Sequence, residues 1–89
     1  MKKMSTNEVF EIIYKEREYQ EEGKKKIESH IVEDFNLGDA LSAIDYNLDM
    51  ARQEWYKGKT PHQNSMEYLR KIAAICVQMG ETYGMSERM

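Results

Sequence analysis

The strongest pattern in the chain is an apolar stripe in its middle. Leu37, Leu41, Ile44, Leu48, Ala51 and Trp55 are spaced 4-3-4-3-4. That spacing keeps one narrow face of an α-helix towards a partner helix and has no period-two component that would suggest a strand. Gly58 is placed to end this helix, and Pro61 lies just beyond it. Upstream, Ser5-Thr6-Asn7-Glu8 fits a capping box that opens a first helix. Val9, Ile12, Ile13 and Tyr19 form one ragged face of that helix, with Phe10 beside it, and Gly23 is its expected stop. Residues Gly23 to Asn36 then read as a joint that folds back on the core through Ile27, Ile31, Val32 and Phe35. A second joint spans Gly58 to Gln63, and a third helix is expected to open at Asn64 or Ser65 and run to about Tyr83. Met66, Leu69, Ala73 and Cys76 line one face of it, and Tyr68, Ile72, Ile75 and Met79 a second. Two apolar faces imply burial on two sides. Gly84 is the expected stop, with residues 85–89 as a loose tail.

The expected fold is therefore all-α: one small domain over residues 1–89, with three long antiparallel helices. Eighty-nine residues with a single cysteine, Cys76, leave no intrachain disulfide, and two histidines add little towards a zinc site. A core this small gains most from self-association, so a helical-bundle homo-oligomer, a dimer or tetramer, is expected. The formal net charge of −3 argues against binding a nucleic-acid polymer but leaves room for a local site for a small anion. No apolar run approaches the roughly 20 residues that span a membrane, and no signal-peptide core follows Met1-Lys2-Lys3-Met4, so a cytoplasmic, membrane-free setting is expected.

Three sets of residues could carry chemistry. Glu33, Asp34, Asp39, Asp45 and Asp49 form an acidic run near the second helix. A magnesium site would need acids on a facing helix, where Glu67 is followed by Arg70 and Lys71 and the next acid is Glu81. His30 and His62 stand apart from any nucleophile, and Cys76 is expected to be buried, so nucleophilic catalysis has no dyad to work with. The basic and aromatic residues are more suggestive. Arg17, Tyr19, Lys24, Lys25, Lys26 and His30 cluster around the end of the first helix; Tyr46, Arg52, Trp55, Tyr56 and Lys57 lie on the second; Arg70 and Lys71 on the third. A nucleotide needs such a mixture, because bases stack on aromatic faces and phosphates take Arg and Lys. Trp55 also belongs to the heptad seam, and its place in seam or pocket stays open, with the seam preferred.

Parts of the chain resemble a known family. Glu16-Arg17-Glu18-Tyr19-Gln20 resembles the Glu-Arg-x-x-Gln signature that opens short phage proteins related to the all-α MazG-type nucleotide pyrophosphohydrolases. Leu37-Gly38-Asp39-Ala40-Leu41, with Ile44, Tyr46, Ala51 and Trp55, is similar to their second helix, and Leu69-Arg70-Lys71-Ile72-Ala73-Ala74-Ile75 to their last. The resemblance runs from about Val9 to Glu81. Active members hold Mg²⁺ with Glu-x-x-Glu on one helix and Glu-x-x-Asp on the next. Here the first pattern, around Glu33 to Asp39, has broken spacing, and the second has Arg70 where the acid should stand. The departure reads as a change from cleaving phosphates to holding them.

The chain is also similar to the small all-helical phage proteins that sequester cyclic nucleotide alarm signals, the anti-CBASS sponges. That resemblance implies a non-enzymatic immune-evasion protein in the host cytoplasm, with no metal or cofactor, that binds a cyclic dinucleotide such as cyclic GMP–AMP at an interface between subunits. Arg17, Lys24, Lys26, Arg70 and Lys71 are the residues expected at phosphates, Tyr19, Tyr46 and Tyr56 at bases, with His30 assisting. The alternatives are a divergent MazG-like pyrophosphohydrolase with a metal site improvised from Glu33, Asp34 and Asp39, and a protein-interaction module that offers the Leu37–Trp55 stripe to a host helix.

Overall fold

The computed structural model describes residues 3–27, 35–58 and 61–88. They form three helices: α1 over Thr6–Ile27, α2 over Leu37–Lys57 and α3 over Pro61–Tyr83. The expected three-helix all-α domain is what the chain builds. The predicted capping box closes α1: the Glu8 amide donates to Ser5 Oγ at 3.1 Å, and the Ser5 amide to Glu8 Oε1 at 2.7 Å. The Ser5 backbone N–H, and after it the Ser5 hydroxyl, holds the Glu8 carboxyl below its ordinary value.

The first joint is shorter than expected. Gly23 does not stop α1, which continues through Lys24, Lys25 and Lys26 to Ile27. A glycine ends a helix when it turns left-handed. Gly23 keeps a helical backbone, and the lysines after it are good helix formers. The left-handed turns fall instead at Gly58, with φ 85°, and Gly84, with φ 83°, the expected stops of α2 and α3. The second joint also shrinks. α3 opens at Pro61, where the fixed φ of proline suits a first helical position, and not at Asn64 or Ser65. His62 consequently lies on the first turn of α3. Ser65 lies inside the helix and donates its hydroxyl to the Ala51 carbonyl of α2 at 2.8 Å.

α2 and α3 form an antiparallel hairpin. The Leu37 amide at the start of α2 donates to the Tyr83 hydroxyl near the end of α3, at 3.2 Å. At the other end Asn64 Nδ2 donates to Glu54 at 3.1 Å. The core between the two helices is built from Ala40, Ile75 and Met79, with Phe35, Ala43 and Ile44 packed around it. Small residues let the two backbones approach. The inward line of α2 is thus Ala40, Ile44, Asn47 and Ala51, again spaced 4-3-4. It is rotated from the leucine stripe by about half of the 100° between successive helical residues. Leu37, Leu41 and Trp55 stay 48%, 58% and 52% exposed, while Leu48 is half-buried. The stripe predicted to pack is therefore only partly used within the chain.

α1 packs on the other side of α3 and, among the described residues, makes no contact with α2. The two apolar faces of α3 do receive a helix each, though Met66 and Leu69 remain exposed. Cys76, expected on a buried face, is also exposed. The radius of gyration is 14.7 Å, against about 12 Å for a compact chain of this length. No helix among the described residues is long and apolar enough to cross a membrane.

Candidate functional site

Among the described residues, side-chain hydrogen bonds and ion pairs are dense at the seam where α1 crosses α3. Arg70 Nε donates to Glu16 Oε1 at 2.8 Å, and its Nη2 pairs with Glu67 at 2.8 Å. Arg17 reaches Glu81 through Nε at 3.0 Å and Nη2 at 2.7 Å, and Nη2 also pairs with Glu21 at 2.9 Å. Gln20 Nε2 donates to the Lys71 carbonyl at 3.4 Å. The three specified residues of the Glu-Arg-x-x-Gln stretch therefore all touch α3, and two of their three partners are Arg70 and Lys71. Two of the three stretches that carry the family resemblance, the first and the last, bind one another. Their pairing at this seam gives a physical reason for those residue types that requires no ligand.

These contacts set the electrostatics. Hydrogen bonds that Arg70 donates to Glu67 and then to Glu16 hold it more firmly protonated than usual, and Arg70 in turn pulls the Glu67 carboxyl below its ordinary range. Burial opposes the Arg17 charge, but Glu81 and Glu21 outweigh it and raise its pKa. Arg17 Nη1 is buried without a hydrogen-bond partner. Both guanidinium groups expected at phosphates are thus already bound by carboxylates within the chain.

Among the described residues, the three tyrosines expected at bases do not meet in one cleft. Tyr19 is exposed on α1, and Tyr46 and Tyr56 are exposed on α2, a helix that α1 does not touch. Tyr46 and Tyr56 are themselves about 15 Å apart along the helix axis, at 1.5 Å per residue. Lys24 and Lys26 fall in the last turn of α1. His30, like Glu33 and Asp34 of the acidic run, lies outside the described residues. Lys71 Nζ stands 5.0 Å from the centre of the Tyr68 ring, at the edge of a polar hollow of about 320 Å³ shared with Glu54, Asn64 and Glu67. There the Lys57 ammonium, at 2.8 Å, keeps the Glu54 carboxyl below its ordinary range.

Two features were assigned other roles from sequence. Asp39, a candidate metal ligand, closes a capping box at the start of α2: its amide donates to Asn36 Oδ1 at 2.8 Å, and its Oδ2 accepts from the Asn36 amide at 3.1 Å. Trp55 is not buried in a seam within the chain; its ring meets His62 edge-to-face, with centroids 5.2 Å apart. Among the described residues no group of three His, Cys, Asp or Glu side chains is arranged to hold a metal ion.

A second concave surface is apolar. Val9, Ile12 and Ile13 of α1 face Met66, Leu69 and Ala73 of α3 across a cleft of about 410 Å³. These are the apolar faces read from the two helices separately, and here they meet without closing. The carboxylate partners Glu16, Glu21 and Glu81 were missed from sequence. The i,i+4 spacing of Arg17 and Glu21 and the i,i+3 spacing of Glu67 and Arg70 signalled part of the network; the long-range partners had no local signal. Neither the family models nor the curated proteins nor the solved structures compared with the chain contain a match to it.

Proposed function

We propose that the chain is a non-enzymatic phage immune-evasion protein that assembles into a homo-oligomer and sequesters a cyclic dinucleotide, such as cyclic GMP–AMP, between subunits in the host cytoplasm. The observation that carries this reading is the pairing of Arg52 and Tyr56, both exposed, with the open apolar flank of the same helix. A second subunit covering that flank would bring Tyr56 into the wall of a pocket, where a purine can stack, while Tyr46 stands on the opposite side of α2. Arg17 and Arg70 are engaged by carboxylates, so this reading assigns the phosphates to Lys71 and to Lys24 and Lys26 in the last turn of α1. Holding rather than cleaving is supported by Glu67, the one acid left of the second magnesium-binding pattern, which is tied to Arg70.

Calorimetry with a panel of cyclic mono- and dinucleotides tests the proposal. Tight, saturable binding is expected, with the ligand recovered intact after the complex is heated. A sponge competes with a receptor by mass action, so an absence of sub-micromolar affinity for every member of the panel removes the reading. Release of pyrophosphate from deoxynucleoside triphosphates and Mg²⁺ would replace it with the pyrophosphohydrolase.

A further inference from the structure

The unpartnered flank of α2 has a charge pattern of its own. Leu41, Leu48 and Trp55 lie seven residues apart on one side of the helix, two of them more than half exposed. Seven residues bring a helix back to almost the same face, with a drift of about 20°. Asp45 and Arg52 are also seven apart and run beside this line on its solvent side. Both are exposed, and neither forms an ion pair or side-chain hydrogen bond with the described residues. The other half of the helix is already occupied by α3 through Ala40, Ile44 and Ala51.

We infer that this flank is the seam between two copies of the chain, with the two α2 helices antiparallel about a two-fold axis at Leu48. The inference rests on the assembly part of the reading above and not on its ligand. A two-fold interface is self-complementary, so each contact occurs twice. With the axis at Leu48, that residue meets its own copy, and Leu41 lies opposite Trp55 of the partner subunit. In the same register Asp45 falls within one residue of Arg52 of the partner subunit, and the pair is repeated across the axis. A parallel two-fold pair would turn the two copies of this charged line to opposite sides of the interface, so that Asp45 and Arg52 could not pair with each other. The charge order therefore selects the antiparallel arrangement, and it selects a second copy as the occupant.

Charge reversal tests this without relying on the core, because both residues are exposed. Sedimentation velocity on the full chain, without nucleotide, is expected to show a dimer or a multiple of it. Asp45→Arg alone and Arg52→Asp alone should each weaken association by roughly tenfold or more, with helix content by circular dichroism unchanged. The double variant Asp45→Arg/Arg52→Asp should regain it. Mixing the two single variants should give a heterodimer, because one chain then carries two cations and the other two acids along the seam. A wild-type monomer at micromolar concentrations overturns the inference. So do single reversals that leave the assembly intact, which would place the contact elsewhere, for instance at the α1–α3 cleft. A dimer with these properties that binds no cyclic nucleotide upholds the seam and removes only the ligand; a monomer that binds one does the reverse.

Discussion

The two sides of α3 are joined to their neighbours by different physics. Towards α2 the contact is apolar and close, with alanines at Ala40 and Ala51, Ile75 and Met79 filling between them, and both ends of the hairpin tied by hydrogen bonds. Towards α1 the contact is a line of charge pairs, Arg70–Glu16 and Arg17–Glu81, beside a cleft that the two helices leave open. Apolar burial is non-directional and survives small shifts, whereas a charge pair needs its geometry and is weakened by water and salt. The hairpin is thus the stable unit of the chain, and α1 is a docked arm whose attachment depends on particular side chains.

Breaking the hairpin should have the largest effect. Ile75→Ala removes most of a nearly buried side chain at the centre of the α2–α3 core and is expected to cost roughly 2–5 kcal/mol in urea unfolding. Loss of the arm should be smaller and local. Glu16, only 10% exposed, carries the carboxylate that links α1 to Arg70, and Glu16→Gln should cost about 1–2 kcal/mol. Hydrogen exchange should then accelerate in α1 and leave α2 unchanged. If α2 amides accelerate equally, the two regions are one cooperative unit and the contrast fails.

Two glycines sharpen the comparison with opposite signs. Gly58→Ala forces a side chain into a left-handed backbone at φ 85° and should lower stability by about 1 kcal/mol. Gly23→Ala adds a methyl in open space within a continuing helix and should raise it by about 0.5–1 kcal/mol. Thermal melts of both variants decide this. The smallest effect is that of pH. Glu8, Glu54 and Glu67 have folded-state values below the ordinary 4.5, held there by hydrogen bonds from Ser5, Lys57 and Arg70 respectively. Their contribution is complete above about pH 5 and is lost as pH falls through the lowered values. Glu8 and Glu67 are exposed and Glu54 is half-buried, so the melting temperature should be flat from neutral pH down to that point and decline slightly below it. Glu54→Gln with Glu67→Gln should flatten the decline.

Local signals in the sequence were legible where one short stretch decides an element. Ser5 and Glu8 specify the start of α1, and Leu37 and Gly58 bound α2, because caps and left-handed glycines act within a few residues. Gly23 misled for the same reason: glycine permits a helix end without imposing one, and nothing in the following lysines interrupts the helix. Of the candidate site, the residue types were legible, but their partners were not. Arg17 and Arg70 looked available for phosphates because Glu81 and Glu16 are more than fifty residues away from them in the chain.

By itself, then, the sequence determined three helices, most of their ends and the apolar character of both faces of α3, since periodicity and capping are short-range properties of the backbone. Tertiary structure alone decided which half of the α2 stripe is used. The alanines turn inward because α2 and α3 approach most closely over small side chains, and that choice leaves Leu41 and Trp55 outside. It also decided that the arginines are held by acids of other helices, because ion pairing across the fold depends on where α1 crosses α3, a distance that no local pattern encodes.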